Sequence, residues 1–158
     1  MNEQITDEKT CLAFLISKVQ LKLRHRLNQK LRKYDITLEQ RQIILKLFTY
    51  GAMSQRELCE KTLTESSNIN MTLKRMEQRG YIRKIKHPKD KRASLIEATP
   101  KALELREELV QLGQDNLGQL LEGIDQKKID NTFEVLQQMY KNALEEELTK
   151  SLHFHSLN

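Results

Sequence analysis

Hydrogen-bonding and cationic side chains are concentrated between residues 66 and 92 of this 158-residue chain. Residues 66–78 carry polar side chains along one arc of a helical pattern. Seven Lys/Arg residues and a single acid, Asp90, then follow between Arg79 and Arg92. Side-chain amides can pair with base edges in a major groove, whereas lysine and arginine neutralise phosphates. This combination of groups predicts binding of double-stranded DNA.

The residue types indicate different tasks within this region. Asn68 and Asn70 could each pair with the N6/N7 edge of adenine, and Met71 could lie against a thymine methyl, which predicts an A·T-leaning half-site. The alternative is that one asparagine caps a helix or faces phosphate, because over half of such hydrogen bonds go to the DNA backbone. The candidates for phosphate contact share a positive charge: Lys74, Arg75, Arg83, Lys84, Lys86, Lys89 and Lys91.

The other reactive side chains do not form a recognisable catalytic or metal site. Ser54, Ser66 and Ser67 could donate to phosphates, although helix capping explains Ser54 equally well. The four histidines lack metal-ligand spacing, and two cysteines, Cys11 and Cys59, are too few for a disulfide framework or a zinc site. The chain also lacks a Gly-rich phosphate loop, a nucleophile elbow and a His/carboxylate constellation. We therefore expect no enzyme activity, no metal and no cofactor.

Helix start and stop signals place the polar arc on a helix-turn-helix. Capping-box patterns at Thr37–Gln40 and Ser54–Glu57 predict two helices, the first of which should end at Gly51. The recognition helix, which would present the asparagines, should run from about Ser66 to Arg79. Gly80 follows it and suits a left-handed helix cap.

A hairpin should follow the recognition helix. Ile69, Leu73 and Met76 form an apolar stripe at steps of four and three, so the opposite arc of the helix should face outward. Residues 81–86 and 92–98 read as two strands joined by a charged turn, which makes the basic run a wing. A capping threonine hydroxyl followed by proline, at positions 99 and 100, predicts the start of another helix.

Long apolar stripes flank this compact middle. The first helix should bury one stripe between Leu12 and Leu31, and two more helices are expected at roughly 100–122 and 126–149. These stripes need a partner, and a second subunit would bury them. It would also place two recognition helices about one duplex turn apart, ~34 Å. We therefore expect a mainly α (α+β) fold, a winged helix-turn-helix with N- and C-terminal dimerisation helices.

Charge divides the chain in the same way. Residues 1–36 carry a net +4, residues 37–101 a net +7 and residues 102–158 a net −6, within an overall +5. The first and third segments are predicted to form the helical dimerisation region and the middle segment the DNA-binding region, with the acidic third facing away from DNA. The chain has no 18-residue apolar run and begins unlike a signal peptide, so we expect a cytoplasmic protein without membrane contact.

The whole chain resembles the MarR (multiple antibiotic resistance regulator) family of winged-helix transcription factors. The matching segments are Ser54-Gln-Arg-Glu-Leu58, Leu73-Lys-Arg-Met-Glu77 with Gly80-Tyr-Ile82, Pro88-Lys-Asp-Lys-Arg92-Ala and Ala98-Thr-Pro-Lys-Ala102. The third segment resembles the family's Asp-x-Arg wing signature. This resemblance implies that Arg92 enters the minor groove while Asp90 holds its guanidinium or the hairpin in place. A solvated hairpin tip is the alternative.

The resemblance also implies how the protein is used. It implies a homodimer on a pseudo-palindromic operator, where repression is favoured over activation on steric grounds. Small phenolic or other amphipathic effectors would bind between the dimer helices and the DNA-binding lobe, and Arg24, His25 and Arg26 would suit an anionic one. Cys11 lies near the start of the first helix, in the neighbourhood where the organic-hydroperoxide-sensing branch of the family has a reactive cysteine. It is therefore a possible redox sensor, with an inert buried thiol as the alternative.

Two rival functions stay open. A winged-helix adaptor would bind protein through the same helices, and an architectural protein would bind any duplex. Steep salt dependence separates DNA binding from the first, and competition with random duplex separates sequence-specific binding from the second. The operator, the regulated genes and the inducer have no signature in the residues.

Overall fold

The computed structural model describes residues 11–62, 66–89 and 92–155, and it describes side chains at all of these positions except 66–68 and 146–155. This part of the chain contains helices and one antiparallel hairpin. The elements are α1 (Leu12–Leu31), a 3₁₀ turn (Arg32–Tyr34), α2 (Leu38–Tyr50), α3 (Gln55–Thr62), α4 (Ser66–Gln78), β1 (Ile82–Lys86), β2 (Ser94–Ala98), α5 (Pro100–Glu104), α6 (Arg106–Leu121) and α7 (Gln126–His155).

Local capping sets the limits of α2, as the sequence predicts. The Thr37 hydroxyl accepts a hydrogen bond from the Gln40 N–H at 3.2 Å, and the Gln40 side chain accepts one from the Thr37 N–H at 3.0 Å. The helix ends at Gly51, whose φ of 79° is open to glycine but strained for other residues. The predicted capping box and stop are both confirmed.

The recognition helix and the wing also form as expected. Helix α4 ends one residue before the predicted boundary, and Gly80 follows with a φ of 70°. Strands β1 and β2 pair antiparallel with Ile82 opposite Ala98. Met53 adds a short bridge to Ile96, with backbone hydrogen bonds of 3.1 and 2.8 Å. The hairpin is therefore anchored to the segment that precedes α3.

The core lies between α2, α3, α4 and the hairpin. Ile69, Leu73 and Met76 are all buried, which confirms the predicted inward stripe of α4. Cys59 is partly buried and packs against this core. The largest fully buried side chains come from five helices, α1, α2, α3, α4 and α6: Leu31, Ile43, Ile44, Leu58, Ile69, Met76 and Leu109. Burial of these groups fixes which side of α4 faces outward.

The helix expected at 100–122 is instead two helices, so that prediction was wrong. Leu105 separates α5 from α6, and its N–H bonds back to the Ala102 carbonyl at 3.2 Å, which tightens the turn. A helix does begin after Thr99, but the prediction that the Thr99 hydroxyl caps it was wrong. The hydroxyl donates instead to the Gly80 carbonyl at 2.6 Å. This hydrogen bond connects Gly80, which follows α4, to Thr99, which precedes α5.

The apolar stripe of α1 is only half buried within the chain. Leu27 and Leu31 are buried, whereas Leu12 and Val19 are 55% and 50% exposed. The chain divides into two compact units, Met1–Leu117 and Gly118–Asn158. The predicted division into dimerisation and DNA-binding regions stays a prediction. Helix α7 extends to His155, beyond the predicted end at 149.

No helix in the described part of the chain combines the length and apolar character that crossing a bilayer requires.

Candidate nucleic-acid interface

The outward face of α4 carries the predicted base-reading and phosphate-binding groups. Because the apolar stripe faces the core, Asn70, Met71, Lys74 and Arg75 are all exposed. Met71 is 60% exposed, so packing within the chain does not explain a large apolar side chain there. A face that combines an amide, a thioether and two cations can offer both base contacts and phosphate contacts to a duplex.

Asn70 has a partner that the sequence did not predict. The Gln55 side chain, at the start of α3, donates from Nε2 to Asn70 Oδ1 at 2.8 Å. The two residues are 15 positions apart on different helices, so no periodicity or motif connects them. Their contact becomes visible only when α3 packs against α4.

Ser54 serves as a helix cap in this structure. Its hydroxyl oxygen accepts from the Glu57 N–H at 3.3 Å, and its N–H donates to Glu57 Oε2 at 2.7 Å, which makes a capping box. The Ser54 hydroxyl also donates to Glu57 Oε2 at 2.8 Å. The backbone hydrogen bond from Ser54, followed by the side-chain one, lowers the pKa of the Glu57 carboxyl. Of the two interpretations left open for Ser54, the structure shows capping, and the hydroxyl proton that a phosphate would need is donated to Glu57 Oε2.

The wing presents cations, and the ion pair of one of them, Arg83, was not predicted from the sequence. Arg83 forms an ion pair with Glu97, which lies directly opposite it in the β1–β2 register. Its charge is therefore partly neutralised, which the sequence pattern did not reveal. Among the described residues, the other exposed basic side chains of the hairpin are Lys84, Lys86, Lys89 and Arg92.

The turn of the wing is held by His87. Its N–H donates to the Ala93 carbonyl at 3.2 Å, and its Nδ1 accepts from the Lys89 N–H at 3.2 Å. These contacts continue the hairpin beyond the paired strands.

Several predicted contacts lie outside the described part of the chain. The side chains of Ser66, Ser67 and Asn68 are not described, and neither are residues Asp90 and Lys91. The base contact of Asn68 and the support of Arg92 by Asp90 therefore stay predictions.

Arg79 holds the C-terminal end of α4 in place. Its Nη2 lies 2.7 Å from Asp35 Oδ2, and its Nη1 donates to the Asp35 carbonyl. Lys101 Nζ donates to the Arg79 carbonyl at 2.8 Å, and both cationic side chains lie over the Tyr81 ring. This basic residue thus connects the corner between α1 and α2 to the end of the recognition helix.

A cavity of about 490 Å³ lies beside Arg24, one of the residues considered for an anionic effector. Arg24 pairs with Glu39 at 3.1 Å, and Arg26 Nε donates to Asn116 Oδ1 at 3.5 Å. Burial lowers the pKa of Arg41, which still remains charged at neutral pH. The residues around the cavity are Leu23, Arg24, Leu27, Leu38, Arg41, Leu45, Val110, Gly113, Gln114, Asn116 and Leu117.

Cys11 is partly exposed at the start of α1, where its carbonyl accepts from the Leu15 N–H at 3.0 Å. In the part of the chain that the structure describes, no group of three or more His, Cys, Asp or Glu side chains could hold a metal ion. The redox role of Cys11 stays a prediction.

Comparison with known proteins then places the chain in a family. The model of the MarR family matches residues 36–94. An uncharacterised HTH-type transcriptional regulator of Bacillus anthracis is 31% identical over 125 residues, which cover 78% of this chain and 82% of that protein. This chain belongs to the MarR family. As a MarR-family protein it is a winged-helix transcription regulator, as its sequence predicts.

Solved structures agree on the fold of this MarR-family chain. The transcriptional repressor CouR, bound to a 23-mer DNA duplex, is 17% identical with a TM-score of 0.77, over 89% of this chain and 99% of that one. A cysteine-to-serine mutant of MarR from E. coli, complexed with operator DNA, is 23% identical with a TM-score of 0.76, over 88% and 99%. These likenesses support the winged-helix architecture.

Proposed function

We propose that this MarR-family protein represses transcription by binding a pseudo-palindromic operator as a homodimer. The observation that carries the proposal is the outward face of α4, exposed beside a cationic hairpin. In this arrangement α4 lies in the major groove and the wing approaches the neighbouring minor groove. Two similar structures, CouR and the MarR mutant, contain a DNA duplex, which supports the same use here.

The exposed residues divide into two tasks within this proposal. Asn70 and Met71 contact base edges, and Arg92 enters the minor groove. Arg83 contributes less than its neighbours because Glu97 already opposes its charge. The phosphate contacts come from the remaining exposed cations: Lys74, Arg75, Lys84, Lys86 and Lys89. Ser66, Ser67, Asn68, Asp90 and Lys91 keep the roles that the sequence predicts for them.

A homodimer accounts for the apolar side chains that the single chain leaves exposed. They lie on α1, in the segment 1–36, and on α7, in the segment 102–158. A soluble monomer seldom exposes so many large apolar groups along its helices. The residues concerned are Leu12, Leu15, Val19, Phe133, Leu136, Tyr140 and Leu144. Two-fold pairing would bury them and present two recognition helices to one face of the duplex.

A small amphipathic effector would bind in the cavity beside Arg24 and Arg41. Its lining is mostly apolar with cationic groups, which suits an anion with a hydrophobic body. The effector would act only through a difference in affinity between DNA-competent and incompetent states. Oxidation of Cys11 is the alternative signal.

Selection of bound duplexes from a random library tests the DNA-binding proposal. We expect inverted repeats to be enriched. The selected duplex should lose about 10³-fold or more in affinity between roughly 50 and 200 mM salt if six or more phosphates are contacted. Arg92→Ala should weaken this binding without changing the oligomeric state. Lys127→Ala, which removes an equal charge from α7, is the control.

Three outcomes would contradict the proposal in different ways. Affinity that hardly changes with salt would favour the protein-binding adaptor. Equal affinity for selected and random duplex would favour an architectural protein. Unchanged affinity of the Arg92 variant would remove the wing from the interface.

A further inference from the structure

A cleft of about 630 Å³ lies between the α1–α2 corner and one flank of α4. The 3₁₀ turn that follows α1 contributes Arg32 to its lining, and α4 contributes Arg75 and Arg79. Arg32 and Arg75 are exposed, so the cleft is open at the protein surface. A water molecule takes up roughly 30 Å³ of liquid, so the cleft has room for far more than one small anion.

The charges that line this cleft are not balanced. Its two carboxylates already have arginine partners, since Asp35 Oδ2 lies 2.7 Å from Arg79 Nη2 and Glu39 Oε1 lies 3.1 Å from Arg24 Nη2. Among the described residues, neither of the two exposed arginines forms an ion pair with a carboxylate. The cleft therefore keeps one available guanidinium from each of its two elements.

The cleft continues the surface that is proposed to meet DNA. Arg75 follows Met71 by about one helical turn, so the two side chains are neighbours on the surface of α4. Met71 is proposed to contact a base edge, and a strand whose base it meets would carry its phosphates past the next turn of the helix. Asn28 and Gln78 also line the cleft, and their side-chain amides can donate to phosphate oxygens.

A DNA strand supplies the anions that this arrangement fits. A guanidinium binds phosphate through two parallel hydrogen bonds, which a bare point charge cannot reproduce. Successive phosphates of one strand follow each other at about 3.4 Å along the duplex axis. Two arginines that line the same open cleft can therefore contact phosphates of the same strand.

We propose that Arg32 contacts the DNA backbone beside Arg75, so that the cleft between α4 and the α1–α2 corner holds one strand of the operator. The inference rests on the proposed binding of a duplex operator. It extends the interface beyond residues 37–101, because Arg32 belongs to the segment 1–36 that the sequence assigns to dimerisation alone. That segment then serves both the subunit interface and the DNA.

A solvated arginine at the end of a helix makes a different prediction. Its removal would lower affinity only through the overall charge, as the removal of any other exposed cation would. A contact to the backbone instead depends on one particular phosphate. The coupling between Arg32 and individual phosphates is therefore the decisive measurement.

The experiment measures the affinity of the full-length protein for its selected operator, in which one phosphate at a time is replaced by an uncharged methylphosphonate. In the wild type, replacement of the phosphate that Arg32 contacts should weaken binding by about 10-fold. Arg32→Ala should lose about as much affinity, and the same methylphosphonate should then have no further effect. The log–log salt slope of this variant should be shallower by about 0.9.

Two further variants separate a phosphate contact from a change of charge. Arg32→Lys keeps the charge but loses the planar fork, so it should retain the wild-type salt slope with an intermediate affinity. Lys127→Ala removes an equal charge from α7 and should respond to every methylphosphonate as the wild type does. Because the Arg32 side chain is exposed, both of its variants should keep the wild-type oligomeric state and base preferences.

The outcomes separate the inference from the proposed function. If no phosphate is coupled to Arg32 while others remain sensitive, the inference is overturned and the proposed function stands. Titration with inorganic phosphate at constant ionic strength tests a free anion as the occupant. Binding that is lost in Arg32→Ala, together with an uncoupled scan, would also overturn the inference. A scan in which no methylphosphonate weakens wild-type binding would refute the proposed function as well.

Discussion

Cys11 lies at the N-terminal boundary of α1 with part of its surface exposed. Oxidation of a thiol depends on its access to the oxidant as well as on its thiolate character. If Cys11 is the sensor, an organic hydroperoxide should release wild-type protein from its operator, whereas Cys11→Ser should stay bound. The measurement is operator affinity before and after treatment. Cys59→Ala should respond like the wild type, and equal release of both Cys11 forms would exclude the sensor role.

At this scale the sequence predicts which residues face outward but not what they touch. The stripe of Ile69, Leu73 and Met76 was enough to place Asn70 and Met71 on the opposite side of α4. The partners of the polar groups were beyond prediction because they join separate elements. The Gln55–Asn70 and Arg83–Glu97 contacts depend on how helices and strands meet, which no local pattern encodes.

At the scale of the elements, helix α6 lies close to the Arg41 side chain of α2 at Gly113. Arg41 Nε and Nη2 donate to the Leu109 carbonyl at 2.9 and 2.8 Å, and a Cβ at Gly113 would lie 2.2 Å from Nη2. Gly113→Ala would gain up to about 1 kcal/mol of helix propensity. It would also displace a guanidinium whose charged hydrogen bonds are worth about 1.5–3 kcal/mol. We expect the free energy of unfolding to fall by ~1 kcal/mol in urea titrations.

Gly118 provides the control in the same helix. A Cβ there meets nothing within 4 Å, so Gly118→Ala should raise the free energy of unfolding by up to about 1 kcal/mol. If both substitutions changed the free energy of unfolding by the same amount, the Arg41 side chain would have moved aside without loss of stability.

Element limits were predictable wherever a local signal sets them. The capping boxes at Thr37 and Ser54 and the glycine after α4 were all predicted correctly. The break at Leu105 was not, because a tightened turn needs neither glycine nor proline and leaves no compositional mark. Thr99 resembles a cap in sequence, but in the fold its hydroxyl meets the Gly80 carbonyl.

At the scale of the whole molecule, the exposed face of α7 predicts an assembly. Phe133 is 63% exposed within the chain, so Phe133→Lys should leave the single subunit folded. If dimerisation buries this position, an unpaired charge there costs about 3–5 kcal/mol, or roughly 10²-fold or more in the dimer dissociation constant. Sedimentation equilibrium would measure the change. Glu134→Lys, at an exposed neighbouring position, should have little effect, and a monomeric wild type would refute the dimer.

The contact between Arg79 and Asp35 has a mechanical consequence. A partly exposed ion pair contributes only about 0–1 kcal/mol to stability. Little free energy is therefore needed to break the one that joins the α1–α2 corner to the recognition helix. A ligand shifts this contact only through its difference in affinity for the open and closed corner, and a tenfold difference is worth about 1.4 kcal/mol. A molecule that preferred the open corner would therefore separate Arg79 from Asp35. The angle at which α4 enters a groove would then change.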